Sequence, residues 1–361
     1  MARSFSDITN LVWGAQSIAN GYDPLFENPS DEFGRKMNHP RILQHIVSTL
    51  HLERFTVEQV ASVVITIFLV AFALTFRELD RWSAILLSIA AISPPVILAI
   101  ERCNHDLIVF SLIVLGLRFT RGASLFFGLS LLAAFIKLFP IFTITYFLKY
   151  DWKRWLAWSF AFGGIFVAYL LFTWSDLAQV FHSTEKSFGY SYGAKVIMTI
   201  WAPADDPFFT KVALIPVVAM IVSLTISLLC SYGSTGWFLT APKSEYIDAF
   251  RVGAGVFLGS YLIGNNWDYR LIYLLLTIPQ LTHWATVGRL ALAQIALALI
   301  FVSLFVHWAA PFGRNQFLVD ETSNWILFGL LFMLMFRSVS PGIMRAVLPM
   351  LPHPQEAPAD Q

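Results

Sequence analysis

The stretch Ser83–Arg118 reads SAILLSIAAISPPVILAIERCNHDLIVFSLIVLGLR. Two apolar runs, over 83–100 and 105–118, flank the polar group Glu101-Arg102-Cys103-Asn104-His105-Asp106. A membrane helix needs about 20 mostly apolar residues. The stretch therefore reads as two membrane helices joined by a charged turn at the lip of a bilayer. Pro94-Pro95 breaks or kinks the first helix near its end, because proline removes a backbone donor and clashes with the preceding turn.

Outward from this hairpin the pattern repeats. Apolar candidates lie at 57–76, 122–136, 138–149, 155–174, 211–231, 250–264, 270–285, 290–309 and 324–337. Of 361 residues, 57% are hydrophobic and 13% charged, with a mean hydropathy of +0.65. Soluble proteins carry about 25% charged residues. The expected fold is an all-α polytopic membrane protein with about 10–11 transmembrane or re-entrant helices and amphipathic outer-face loops. A net charge of +1 gives no electrostatic reason to bind nucleic acid. Cys103 and Cys230 show no metal-type spacing. The candidate groups match no metal-ligand pattern, so neither a metal nor another cofactor is expected.

Lys and Arg in short loops set the orientation. Arg77, Arg81, Arg118, Arg121, Lys149, Lys153, Arg154, Lys243, Arg251, Arg289, Arg337 and Arg345 fall on one side, which is then cytoplasmic. The other side carries Arg102, Lys137, Arg270 and Arg314 in its short loops. Three parts follow. Residues 1–56 form an outward first loop with interfacial helices, 57–345 the transmembrane domain with an outer loop at 175–210, and 346–361 a cytoplasmic disordered tail. Within 1–56, Ser6-Asp7 can cap a helix through Leu11, Val12, Ala15, Ile18 and Ala19, ended by Gly21. Residues 187–193 are rich in glycine and aromatic rings.

The polar clusters gather on the outer face. Ionisable groups at membrane depth are expensive and are functional candidates by default. Asp7 can act as a general base on a hydroxyl or serve as a helix cap. Asn10 follows it, and Tyr22-Asp23-Pro24 and Asn38-His39-Pro40-Arg41 are polar turns. Arg41 enters an apolar stretch and needs an anionic partner. Glu101, Arg102, Asn104 and His105 carry more polar chemistry than a helix hairpin requires. Lys137 interrupts the run 131–144; it can snorkel to the interface or hold a phosphate as a point charge. Asn265-Asn266-Trp267-Asp268-Tyr269-Arg270 is the densest group. Arg270 suits bidentate phosphate recognition, and the alternative is an internal pair with Asp268.

Read together, Phe5-Ser6-Asp7 through Asn10, Asn20-Gly21-Tyr22-Asp23-Pro24, Asn38-His39-Pro40, Asn104-His105-Asp106-Leu107 and Lys137-Leu138-Phe139-Pro140 resemble glycosyltransferase family 87. That family belongs to the GT-C superfamily of membrane transferases and is similar to the polyprenol-phosphate mannosyltransferases. The resemblance runs over residues 4 to 285; no single motif is specific, and the ordered set carries it. It implies a GT-C architecture and an inverting transfer of a hexose or pentose from a polyprenyl-phosphate donor to a lipid or glycan acceptor. It implies a multi-pass protein of the cell inner membrane with its site facing the periplasm or exterior. Asp7 matches the position of the family's base. Asp23, Asn38, His39, Arg41, Asn266 and Asp268 join the substrate-binding candidates. One departure stands: GT-C enzymes place a membrane helix before the loop that carries the base, and none precedes Asp7 here. Either the chain begins too late or this segment crosses as an N-terminal tail. A secondary transporter and a non-catalytic scaffold of an envelope polysaccharide pathway are the competing readings. Transporters show paired broken helices in related halves, and no such duplication is visible.

Overall fold

The computed structural model describes residues 5–119, 122–184, 191–197, 207–231, 239, 243–263, 266–306 and 314–347. Asn265, residues 187–190 and the tail from 348 lie outside the described residues. The helices are α1 (Ser6–Ala19), α2 (Arg41–Thr49), α3 (Val57–Leu74), α4 (Arg81–Ala91), α5 (Pro94–Glu101), α6 (Asp106–Phe119), α7 (Ala123–Ile136), α8 (Trp152–Phe172), α9 (Trp174–Ser183), α10 (Pro207–Ser231), α11 (Ser244–Ile263), α12 (Ile278–Thr286), α13 (Ala291–Phe305), α14 (Arg314–Arg337) and α15 (Pro341–Val347). Two long 3-10 helices run over Phe139–Lys149 and Asp268–Thr277. A two-stranded antiparallel pairing joins β1 (Ser191–Tyr192) to β2 (Asn266–Trp267), with Ser191 opposite Trp267.

This is an all-α polytopic membrane protein. Among the described residues, α3, α8, α11 and the segment Gln316–Arg337 of α14 are long and apolar enough to cross a membrane. The pair α4 and α5 makes a fifth if it is one span. The helix expected over 83–100 is broken before Pro94, as the proline pair dictates. α6 and α7 have 14 residues each. At 1.5 Å per residue they reach about 21 Å, short of the roughly 30 Å hydrocarbon core. The sequence pattern finds such helices but cannot say which of them span. α3 is apolar all round, with Val60, Val64 and Phe68 buried and Val63, Ile67 and Val70 exposed. A helix apolar on every face needs lipid or protein on all sides. Its start is fixed by a capping box, in which Thr56 Oγ1 accepts from Gln59 N and Gln59 Oε1 accepts from Thr56 N.

The chain divides into two compact units. The first comprises Met1–Glu78, Ala91–Ile141 and Ala161–Lys186. Within it α6 packs on α3 and α7, and α1 packs on α2 and α3. α1 begins where α5 ends. Phe5 N donates to Glu101 O at 2.7 Å and Asp7 N to Arg102 O at 3.1 Å. The first N–H groups of a helix and the last carbonyls of another have no intrahelical partners. Here each set satisfies the other, with the helix dipoles aligned favourably. Phe5, in the left-handed region at φ 62°, is the N-cap, and no side chain caps α1. The expected cap at Ser6-Asp7 is therefore replaced by the end of α5, which frees the Asp7 carboxylate for other partners.

The second unit comprises Leu79–Ala90, Phe142–Phe160 and Ser187–Gln361. α11 is its interior helix, buried along nearly all of its length. Three glycines let neighbours approach it closely, two of them facing backbone and one an aromatic ring. A Cβ on Gly253 would lie 2.6 Å from Tyr273 O; one on Gly255 would lie 2.7 Å from Phe142 O; one on Gly259 would fall on the Phe142 ring. The neighbours are the two 3-10 runs, which the apolar pattern alone reads as helices of unspecified pitch. In a 3-10 helix side chains three apart eclipse. Phe142 and Thr145 accordingly face α11, and Thr145 Oγ1 donates to Arg251 O at 2.7 Å. Tyr146 and Lys149 form the next row: Lys149 Nζ donates to Tyr146 Oη at 2.8 Å and pairs with Asp248 at 2.6 Å.

Candidate active site

The first unit gathers Asp7, Arg102, Asn104, His105 and Lys137 at one place, where the N-terminus of α1, the turn between α5 and α6, and the end of α7 meet. Asp7 lies in the first turn of α1. Arg102 grips its carboxylate with both arms, Nε to Oδ2 at 3.0 Å and Nη2 to Oδ1 at 2.6 Å. Such bidentate pairing fixes orientation as well as charge. Asn104 Nδ2 donates to Asp7 Oδ2 at 2.5 Å. The other end of the same amide, Asn104 Oδ1, accepts from Lys137 Nζ at 3.0 Å and from Asp106 N at 2.9 Å. A carboxylate only accepts and an ammonium only donates, so these partners fix which way the amide points. Asn104 also starts α6, since its side chain receives that helix's first free N–H.

Lys137 ends α7 in an extended conformation. Its ammonium also pairs with Asp106 Oδ1 at 2.5 Å. Arg102, Asp7, Asn104, Lys137 and Asp106 thus form one chain of alternating charge with a neutral amide in the middle. Lys137 does not snorkel away; its side chain is 12% exposed and that of Asp106 0%. Arg102 and Asp7 stay within reach of solvent, at 29% and 16%.

His105 is fully buried, and among the described residues neither ring nitrogen has a hydrogen-bond partner. His39 meets it edge to face, ring centres 4.1 Å apart. Burial, then the Lys137 ammonium, pushes His105 down to about 3. Burial also lowers His39, followed by His105 and Lys137, against the opposing pull of Asp7. Both imidazoles are neutral at physiological pH. Each then offers one donor and one acceptor beside the charged chain.

Other sequence candidates sit nearby within the same unit but are occupied. Asn10 Nδ2 donates to Asp31 Oδ2 at 3.1 Å, and Asp31 pairs with Arg35, which folds the 20–40 loop back on α1. Asp23 accepts from Leu25 N and from Arg41. Arg41 finds the anion it needed in Asp176 of α9, Nε to Oδ2 at 2.7 Å and Nη2 to Oδ1 at 2.9 Å. The Asp176 bond, first among several causes, raises the Arg41 guanidinium above its ordinary value. The Arg41 bond likewise lowers Asp176. Asn38 is half-buried beside His39, and Glu101 is exposed and joins the site through its backbone carbonyl alone.

In the second unit Asn266 Nδ2 donates to Ser260 O at 2.6 Å, capping the end of α11. Arg270 Nη1 donates to Asn266 Oδ1. Asp268 is buried at the start of its 3-10 run. Sequence reasoning missed Asp106 as the Lys137 partner and Asp176 as the Arg41 partner. It also missed Asp320 and Glu321, buried in α14, because the apolar pattern begins at 324 and left them outside the helix. Among the described residues no group of three or more His, Cys, Asp or Glu side chains is placed to hold a metal ion.

The family model described as Glycosyltransferase family 87 matches residues 46–234, just over half of the chain. The matched segment contains Arg102, Asn104, His105, Asp106 and Lys137; it begins after Asp7 and His39. No curated protein and no solved structure matches the chain.

Proposed function

Because this chain belongs to glycosyltransferase family 87, we propose that it moves a hexose or pentose from a polyprenyl-phosphate donor to a hydroxyl of a lipid or glycan on the outer face of the plasma membrane, with inversion. A membrane glycosyltransferase is what the family itself carries. The donor, the acceptor side and the stereochemistry are our reading. One observation supports it above the others: the carboxylate of Asp7 and the ammonium of Lys137 are held on the two ends of a single amide, Asn104.

A carboxylate has about four lone-pair directions. Arg102 Nε, Arg102 Nη2 and Asn104 Nδ2 take three of them. An acceptor hydroxyl can use the fourth, on Oδ1. Asp7 takes the hydroxyl proton as the acceptor oxygen attacks the anomeric carbon. The bond from that carbon to the phosphate oxygen breaks, and its electron pair leaves on the polyprenyl phosphate. Negative charge grows there in the transition state, where a pre-placed cation is most effective. Lys137, on the far end of Asn104 from Asp7, supplies that charge, while Arg102 holds Asp7 in place. Attack and departure on opposite sides of the carbon invert it. Partly exposed His39, neutral and packed on buried His105, offers a hydrogen bond to a sugar hydroxyl without adding charge. The Lys and Arg bias of short loops supports a site facing outward.

The test is transfer by purified full-length protein in detergent or nanodiscs. Polyprenyl-phosphate sugars extracted from membranes, and nucleotide sugars in parallel, serve as donors with a membrane lipid extract as acceptor. Mass spectrometry reads the product. Transfer from the lipid-linked donors is expected. Transfer from a nucleotide sugar alone would overturn the reading.

A further inference from the structure

His39 lies in the loop that leads into α2. Pro40 follows it, at φ −53° and ψ 146°, and Arg41 opens the helix. Proline fixes its own φ and holds the residue before it extended. His39 and Arg41 are therefore stiffly coupled, and a shift of one carries the other. A cation in the first turn of a helix opposes the helix dipole. Arg41 gains nothing from α2 in this position, so its contribution lies in what it reaches.

Two sets of bonds bracket His39. On one side Met37 N donates to Pro24 O at 2.8 Å. On the other, Arg41 Nη2 reaches back to Asp23 Oδ2 at 3.0 Å, while Nε and Nη2 close on the two oxygens of Asp176 at 2.7 and 2.9 Å. One turn further along α9, Gln179 Nε2 donates to Leu25 O at 3.4 Å. The loop is thus tied to α9 at two points. The stronger tie is a planar fork on a carboxylate, which fixes angle as well as distance. Between the brackets the His39 ring meets His105, centres 4.1 Å apart. All of these residues belong to the first unit.

We infer that Asp176 is a positioning residue: through Arg41 it seats His39 against His105, where His39 can bond a hydroxyl of the donor sugar. The sugar contact rests on the function proposed above; the seating of the ring does not.

Two measurements on full-length protein in nanodiscs test this. The first is acylation of each histidine by diethyl pyrocarbonate, mapped by mass spectrometry. Asp176→Asn keeps the shape but loses the charge and one acceptor, so His39 should react about threefold faster or more. Buried His105 should stay unreactive, and half-buried His283 in the second unit should keep its rate. Asp176→Glu should lie nearer the parent. The second measurement is steady-state transfer. Donor KM should rise by about three- to tenfold, the worth of one hydrogen bond, with kcat and acceptor KM unchanged. In a His39→Phe background, which keeps a ring against His105, Asp176→Asn should add nothing further to donor KM. An unchanged His39 rate in Asp176→Asn would overturn the inference. So would a reactive His105, which would make Asp176 an anchor of the fold alone, or a donor KM effect undiminished by His39→Phe. A parent that transfers nothing from a lipid-linked donor would sink the proposed function instead, and acylation alone would then decide the seating.

Discussion

Replacing Asp7 by asparagine separates two roles that the geometry joins. The carboxylate accepts two bonds from Arg102 and one from Asn104. An asparagine of the same shape must turn its own NH₂ toward one of these donors, so a donor meets a donor. Removing one partner of a buried ion pair costs about 3–5 kcal/mol. Asp7 and Arg102 are 16% and 29% exposed, and solvent screening reduces the loss to about 2 kcal/mol. A melting temperature lower by several degrees follows. Loss of a general base slows turnover by about 10²–10⁴-fold, far more than a small unfolded fraction would. The assay is transfer rate well below the melting temperature, normalised to folded protein by size-exclusion chromatography, with Asp7→Glu as companion. Glutamate keeps the charge and most of the stability but moves the carboxylate by one methylene, so it should recover melting temperature more than rate. An Asp7→Asn enzyme that turns over within about threefold of the parent refutes the role of base and leaves Asp7 as the anchor of Arg102.

Lys137→Met should lower kcat with little change in acceptor KM, since it removes charge from the leaving-group side, and should leave Asp106 buried without its cation; an unchanged kcat would assign Lys137 to structure alone. The depressed imidazole of His105 predicts a pH dependence. Its folded value of about 3 lies below the ordinary 6.5, so the unfolded chain binds the proton first and stability falls as pH drops below about 6.5. At pH 5 the loss is about 2 kcal/mol, and thermal melts of His105→Gln should show a smaller decline between pH 7 and 5 than the parent. Gly259→Ala should destabilise the second unit by about 1–3 kcal/mol through overpacking, because the new methyl meets the Phe142 ring; an unchanged melting temperature would contradict that packing. For orientation, a cysteine at exposed Glu101 should react with an impermeant thiol reagent on intact cells and one at Lys153 should not; the opposite pattern would reverse the topology.

The all-α membrane class was legible from composition, but the number of spans was not. About 10–11 transmembrane or re-entrant helices were expected, and among the described residues four, or five with the bent α4–α5 pair, are long and apolar enough to cross. The proline break before α5 was legible for a steric reason, and so was α1, from its spacing of Leu11, Val12, Ala15 and Ile18. What sequence could not supply was pairing at a distance. Asp7 and Arg102 stand 95 residues apart, and nothing in either neighbourhood names the other. Arg41 announced a missing anion, but Asp176 lies 135 residues away. The choice between base and cap at Asp7 was also closed to the sequence, since it turns on the end of α5 taking over the capping. The start of α14 was missed for a different reason: buried acids in a helix look like a loop to any reading by hydropathy. The 3-10 runs at 139–149 and 268–277 pack against the glycines of α11, a contact between distant segments that leaves no local mark in the apolar pattern.

That pitch constrains how the family can vary. With three residues per turn, one inserted or deleted residue in 139–149 would rotate everything beyond it by about 120°. Lys149 would swing off Asp248, and the Phe142–Thr145 row would no longer continue in line along α11. An insertion of three would restore every row and slide it by about 6 Å. Length change in this segment should therefore be tolerated in threes or not at all, a counting rule that an ordinary α-helix, with its 3.6-residue turn, does not impose.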